Sequence, residues 1–348
     1  MPLPAAMDGL FADGVYLRLR SRARDTYLHA DKDGEGLSLL PRGGDDGAPA
    51  EAGVWRVHRV LRDGDNYVLL HGAAYGRYLA LSDEAAPHGC VGKRAVQRGY
   101  DDPELDAVMW KPSAVPDAPT SHVLMRHLLN GTLRANGRFR VWNNGVSIDM
   151  YFGNRSTMRQ WIVEVVPPRP QGYVPVLPAP SETLQHHTFL FWWPGAREGA
   201  RRRTIRYLHA DQPLDFGPAS NVPSFSYCSR SVYDLRNQLG IRVNHGHILG
   251  TIMCVQAGLY GRLTPLITDL THSDEPLHVV VYTAGTPGEN LAVFLVVCAA
   301  LVTCLSLFRQ EDSVVLRFIF AVCLVVLFSS VELRVAQSSS AVLNSVWK

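Results

Sequence analysis

The 348-residue chain has few of the residue groupings that site chemistry needs. Its six cysteines (Cys90, Cys228, Cys254, Cys298, Cys304, Cys323) include no C-x-x-C pair. That spacing excludes a zinc ribbon or a disulfide framework and reads as reduced thiols. There is no G-x-S-x-G, no P-loop and no dinucleotide fingerprint. His186-His187 and His245-Gly-His247 lack acidic or cysteine partners at metal-ligand spacing. Asp31-Lys-Asp33-Gly-Glu35-Gly36 opens like an EF-hand loop, but Arg42 stands where the bidentate glutamate belongs, so a hairpin turn is the better reading. Asp45-Asp46 and Asp101-Asp102 read as solvated loop acids. No residue is assigned a catalytic, cofactor-binding or metal role, the ligand-binding residues stay unassigned, and the chain reads as a non-enzyme without cofactors. A formal net charge of +2 gives no global field that would call for nucleic acid. The arginines Arg197, Arg201, Arg202, Arg203 and Arg206 form the one basic cluster noted, read as a solvated domain edge in preference to a phosphate contact. The N-terminus has neither a basic n-region nor an apolar run, so no signal peptide is expected. The sequons at Asn130 and Asn154 then read as polar turns.

What the sequence does contain is a repeat. Three copies each open on a strand-like segment: Val15–Arg20, Tyr67–His71 and His122–Arg126. A second follows at Thr26–Ala30, Gly76–Ala80 and Gly131–Ala135, and each copy closes on a tryptophan: Trp55, Trp110 or Trp161. Leu19, Leu70 and Met125 are 51 and 55 residues apart, Leu28, Leu79 and Leu133 are 51 and 54 apart, and the tryptophans are 55 and 51 apart. Leu17 and Leu19 alternate with Tyr16, Arg18 and Arg20, which is the period of a strand. Asp-Gly and Asn-Gly steps punctuate the segments as tight hairpins require. One copy cannot bury its apolar face, whereas three around an axis close a barrel without sheet edges. The expectation is a β-trefoil over residues 8–166 with its tryptophans in the core.

The stretches Tyr27–Ser38, Tyr75–Ala80, Val108–Trp110, Leu133–Asp149 and Ser156–Glu164 resemble a plant domain-of-unknown-function family whose trefoil is related to the fascin-type, actin-crosslinking fold. The resemblance implies a fascin-like trefoil that binds a protein partner, with actin as the specific version. A carbohydrate-binding trefoil is the alternative. Against it, none of the three tryptophans has the glutamine two residues earlier that ricin-type lectins carry.

Residues 167–200 form a proline-rich linker. From 201 to 285 the order is strand, strand, helix, strands, as in a β-grasp, ubiquitin-like unit. Arg203–Ala210 and Pro223–Ser229 are its first strands. Ser231-Val-Tyr-Asp234 resembles a capping box that opens a helix through Leu239, with Tyr233 adding its ring to the apolar face. Thr251–Gly258, Thr264–Leu270 and Leu277–Thr283 follow. SVYDLRNQL and MCVQAGLYGRLTPLITDL resemble the carboxy-terminal domain that accompanies the trefoil in the same family. The segment runs on past AGTPGEN, so ubiquitin-like conjugation is not expected.

Leu291–Phe308 carries no charge over eighteen residues, and Ser313–Val331 carries one near its start, Arg317. As helices, both approach a bilayer's hydrocarbon thickness. Residues 291–331 therefore read as two transmembrane helices, followed by a polar tail over 332–348. The soluble domains would then face the cytoplasm. A buried, self-associating helix pair and an aberrant segment are the alternatives, because relatives end shortly after the β-grasp unit. If the tail is not inserted, the chain is cytoplasmic.

Overall fold

The computed structural model describes residues 5–42, 49–139, 142–143, 145–151, 156–167, 177–178, 202–210, 212, 215–217, 220–243 and 251–283. Copy 1 of the repeat contributes β1 (Tyr16–Ser21), β2 (Tyr27–Ala30), β3 (Leu37–Leu40) and β4 (Trp55–Arg62). Copy 2 contributes β5 (Asp65–Gly72), β6 (Tyr78–Ala85), β7 (Lys93–Arg98) and β8 (Trp110–Ala114). Copy 3 contributes β9 (His122–His127), β10 (Thr132–Ala135), the short pair β11 (Arg138–Phe139) and β12 (Trp142–Asn143), β13 (Val146–Asp149) and β14 (Gln160–Val166).

Six of these strands close a ring. β1 pairs with β4, β4 with β5, β5 with β8, β8 with β9, β9 with β14, and β14 returns to β1. Three hairpins lie outside the ring, one per copy: β2–β3, β6–β7 and β10–β13. This is a β-trefoil, and closure leaves the barrel strands without free edges. The β4–β5 hairpin turns on Asp63 (φ 52) and Gly64 (φ 78), the paired positive angles of a type I′ turn.

The core follows the alternation. Leu17, Leu19, Val57, Val68, Leu70, Val123, Met125 and Val163 point inward and are buried, joined by Met7 and Phe11 from the N-terminal turn α1 (Ala5–Asp8) and the residues after it. Trp55, Trp110 and Trp161 are all fully buried. Each indole N–H donates to a backbone carbonyl of its own copy: Trp55 to Leu28 at 3.1 Å, Trp110 to Leu79 at 3.0 Å and Trp161 to Leu133 at 3.0 Å. The three leucines are those that align in the repeat. The hydrogen bonds therefore satisfy the one polar atom of each core aromatic and pin each hairpin to its barrel strand. Burying each indole contributes about 5 kcal/mol before entropy is counted.

The second module comprises β15 (Arg203–His209), β16 (Ser224–Tyr227), α2 (Val232–Val243), β17 (Thr251–Gln256), β18 (Leu263–Pro265) and β19 (Leu277–Thr283). Its sheet order is β16-β15-β19-β17-β18, with the first and last strands parallel neighbours at the centre. Val232, Leu235 and Leu239 of α2 pack on one face with Ile205, Met253, Val279 and Val281. Ser231 caps the helix by accepting from the Asp234 N–H at 3.2 Å, while the Ser229 hydroxyl accepts from the Ser231 N–H at 3.1 Å.

Several expectations change in detail. The helix passes Leu239 and runs to Val243, because Gly240 is buried against the core and does not end it. Tyr233 faces solvent at 38% exposure and does not join the apolar face. Only Leu263–Pro265 of the segment around Thr264–Leu270 is strand, although Leu266 and Leu270 still reach the core. Leu177, in the proline-rich linker, packs against that same core. No helix among the described residues is long and apolar enough to cross a membrane, and the two spans expected over 291–331 lie outside those residues.

Candidate functional site

Each indole N–H of the barrel core is already bonded, and the cluster around the indoles is hydrophobic. His127, edge-on to Trp110 with ring centroids 4.9 Å apart, is itself held by the Ala107 carbonyl and the Leu129 N–H. The tryptophans are core, and no sugar can stack on them.

The Asp31–Gly36 turn joins β2 to β3. Asp33 Oδ1 accepts from the N–H groups of Glu35 at 2.8 Å and Gly36 at 2.7 Å. The Ser38 hydroxyl donates to Asp31 Oδ1 at 2.6 Å. These carboxylates shape a hairpin. Burial pushes the Asp31 carboxyl up to about 6, with the Asp33 charge adding to the shift and the Ser38 bond opposing it. Among the described residues no group of three His, Cys, Asp or Glu side chains is placed to hold a metal. The pairs His186-His187 and His245/His247 lie outside those residues, as do Asp45, Asp46, Asn154 and the cysteines beyond Cys254. Among the described residues Cys90, Cys228 and Cys254 form no disulfide.

The basic cluster noted from sequence is not a solvated edge throughout. Arg203 is buried and donates to the Thr271 carbonyl at 3.2 Å and hydroxyl at 2.9 Å, and burial pushes its pKa down. Arg206 donates to the Phe216 carbonyl at 2.8 Å and to that of Gly217 at 3.3 Å. Both guanidiniums are committed inside the second module. Arg202 is exposed, and Arg197 and Arg201 lie outside the described residues.

A concentration of polar and titratable groups lies where the two modules meet, on the outer face of copy 2 with Asp13 and Lys32 from the copy 1 side. The Tyr100 N–H donates to the Ala257 carbonyl at 2.9 Å, and the Tyr260 N–H to the Tyr100 carbonyl at 2.8 Å. The His272 N–H donates to the Lys32 carbonyl at 2.8 Å. Thr268 donates to the Ala74 carbonyl at 2.9 Å, and the Arg262 N–H to the Tyr78 hydroxyl at 2.9 Å. Arg262 pairs with Asp13 at 2.9 Å and Arg77 with Glu275 at 2.6 Å. Gly258, at φ +88, passes so close to Tyr100 that an added Cβ would lie 2.4 Å from its backbone. Shared backbone bonds of this kind fix orientation in a way that a flexible tether does not.

His71 and His58 sit at this junction. The His71 Nε2 lies 2.8 Å from the Gly76 carbonyl and so carries the hydrogen, leaving Nδ1 as acceptor. The Thr264 hydroxyl of the second module lies 3.0 Å from Nε2 and 3.4 Å from Nδ1. The ring stacks on Tyr78 with centroids 4.6 Å apart. His58 Nδ1 is 3.2 Å from the Tyr78 hydroxyl. Burial, with Arg56 and Arg262 adding positive charge nearby, pushes both histidines down to about 3. Both are therefore neutral near pH 7 and already hydrogen-bonded, His71 fully buried and His58 half-buried, which is the character of structural groups. Asp101, noted from sequence as a loop acid, is part of this contact and accepts from the Leu259 N–H at 3.3 Å. Asp102 accepts from the Glu104 N–H at 2.8 Å, within its own loop.

The sequence carries a faint signal of this junction. His71 aligns with Arg20 and Arg126 in the other copies, and Leu69 with Arg18 and Leu124. An outward position becomes buried and neutral only where something covers it.

The β-trefoil domain of unknown function DUF569 matches residues 7–164, and the DUF569-associated ubiquitin-like domain matches residues 201–282. The chain belongs to the DUF569 family. No curated protein matches the sequence. Among solved structures, Cry35Ab1 is 13% identical over 48% of this chain and 40% of its own, with a TM-score of 0.34. The DUF569 chain thus spans less than half of that protein. The BEL β-trefoil is 16% identical over 47% of this chain and 97% of its own, with a TM-score of 0.35. The Macrolepiota procera ricin B-like lectin, solved with lactose, is 14% identical over 44% of this chain and 96% of its own, with a TM-score of 0.33.

Proposed function

We propose that this DUF569 chain is a non-enzymatic binding protein whose trefoil engages a protein partner, filamentous actin in the specific version, through its outer surface. One observation carries the reading. The barrel interior is apolar and its indole N–H groups are bonded internally, so the outside of the barrel is what the domain has to offer a partner. The neutral, hydrogen-bonded state of His58 and His71 supports it, since groups held near 3 are poorly placed for proton transfer at pH 7. The second module acts as a fixed extension of the trefoil. Residues 291–331, with their two long apolar runs, hold the body at a membrane as a helical hairpin, the soluble modules facing the cytoplasm.

Co-sedimentation of the full chain with actin filaments tests the partner. Saturable pelleting at micromolar filament concentrations is the expected result, and pelleting no greater than a filament-free control would remove actin. Carbonate extraction tests the tail, which is expected to remain in the membrane fraction; release into the supernatant would contradict the hairpin.

A further inference from the structure

Arginine recurs at alternate positions from the start of copy 1, at Arg18, Arg20, Arg22 and Arg24. Strand alternation sets the direction of the first two. Leu17 and Leu19 are fully buried in the barrel, so Arg18 and Arg20 of β1 stand on its outer face. The face continues across three strands. Arg20 lies opposite Ile162 of β14, which lies opposite His122 of β9, while Gln160 of β14 lies opposite Leu124. Arg126, two residues further along β9, is exposed. Arg22 and Arg24 extend the face into the β1–β2 turn and are exposed.

Five guanidiniums therefore share this region with two carboxylates, Glu164 and Asp25. Arg20 is bonded to both, at 2.8 Å and 2.5 Å, and Arg22 donates to the Gln160 side chain. Arg18 Nε and His122 Nδ1 are shielded from water and have no partner among the described residues. Alternate residues of a strand stand about 6.7 Å apart. That is inside the Debye length of about 8 Å at physiological salt, so neighbouring charges reinforce one another. His122 registers the field: burial pushes its pKa down, and Arg22 and Arg20 push it further in the same direction.

The repeat shows that the fold does not require these charges. Tyr16, Arg18 and Arg20 of copy 1 align with Tyr67, Leu69 and His71 of copy 2, which are buried. Copy 2 carries a second apolar layer on this face, and its His71 contacts the second module. The corresponding face of copy 1 is open and basic.

We infer that the β1–β14–β9 face of the trefoil is a docking surface for an acidic protein. This rests on the binding-protein reading above and adds the face and the chemistry of its partner. The composition favours a protein over other polyanions. The cations are all arginine, whose planar fork matches carboxylates, and Ile162 and Leu124 lie between them; arginine with apolar contact area is the makeup of protein interfaces. Tyr16, on the same face of β1, is half-buried with Arg56 over its ring, and among the described residues no fully exposed aromatic of the kind that stacks on bases interleaves the arginines.

The test uses the full chain, a triple charge reversal R18E/R22E/R126E, a milder R18Q/R22Q/R126Q, and R98E on β7 as a remote control. Unchanged circular dichroism and urea midpoint establish that the variants fold. Three probes are titrated: poly-L-glutamate, duplex DNA, and vesicles containing phosphatidylserine. The wild type is expected to favour poly-L-glutamate, the reversal to weaken that binding about tenfold or more, the neutral variant to fall between, and R98E to match the wild type. Equal poly-L-glutamate binding by wild type and reversal, or none by either, overturns the inference. Tighter variant-sensitive binding to DNA or vesicles overturns it in favour of that partner. Actin pelleting is scored separately. Wild type and reversal pelleting equally would remove this face and leave the actin reading standing, whereas no pelleting with a retained, face-dependent poly-L-glutamate affinity would remove actin alone.

Discussion

Acidification should destabilise this protein through the histidines at the module junction. In the folded chain burial holds His58 and His71 down to about 3, against an ordinary value of 6.5. Between those values the unfolded chain binds protons that the folded chain refuses, so stability is lost as pH falls below 6.5. From pH 8 to pH 5 each histidine costs about 2 kcal/mol. Asp31 works the other way. Burial raises it from 3.8 to about 6, so the folded chain takes up a proton first and regains about 1.5 kcal/mol over the same interval. The net loss is about 2.5 kcal/mol. His127 adds to the loss, because its Nδ1 accepts from the Leu129 N–H at 3.1 Å and burial lowers its pKa. Urea unfolding of the full chain followed by tryptophan fluorescence at pH 8 and pH 5 measures the difference. Asp31→Asn should deepen the loss to about 4 kcal/mol, and His71→Gln should reduce the wild-type loss by about 2 kcal/mol. Equal stability at the two pH values, or a shallower pH dependence in Asp31→Asn, would refute the reasoning.

Three other outcomes are expected. Trp55→Phe, Trp110→Phe and Trp161→Phe each remove an indole N–H bond and leave a small void, at a cost of about 2–3 kcal/mol, and the three urea-derived values should agree within about 1 kcal/mol because the environments repeat. Asp149 is 1% exposed and accepts from Arg134 at 3.0 Å and Arg159 at 2.9 Å, so Asp149→Ala strands two guanidiniums and should cost about 3–5 kcal/mol, whereas loss of less than about 1 kcal/mol would mean the triad is not intact. Gly258→Ala drives a methyl into the Tyr100 backbone, so limited proteolysis should release the two modules from one another while each keeps its secondary structure.

The trefoil was legible because its determinants are periodic and local. Leu28, Leu79 and Leu133 align with the tryptophans in the sequence, and the structure joins the same residues by hydrogen bonds. The strands of the second module were legible for the same reason, with Leu277–Thr283 recovered to the residue. The helix end was misplaced at Leu239; the next residue, Gly240, is a poor helix former, and only tertiary packing shows it buried with the helix running on to Val243. The junction was only faintly legible. Leu69 and His71 stand where copy 1 has arginines, but the contacts join residues distant in sequence, and three of them, Tyr100–Ala257, Tyr260–Tyr100 and His272–Lys32, are backbone bonds that leave no side-chain signature. Arg203 was misread because its partners at Thr271 are distant in sequence.

Arginine footprinting with phenylglyoxal, read by mass spectrometry on the full chain with and without a saturating acidic protein partner, tests the central claim most directly. Binding by the outside of the barrel predicts that Arg18, Arg22 and Arg126 become protected together while Arg98, Arg236 and Arg242 react unchanged. Protection centred on Arg236 and Arg242 of the second module, or none at β1 and β9, would contradict it.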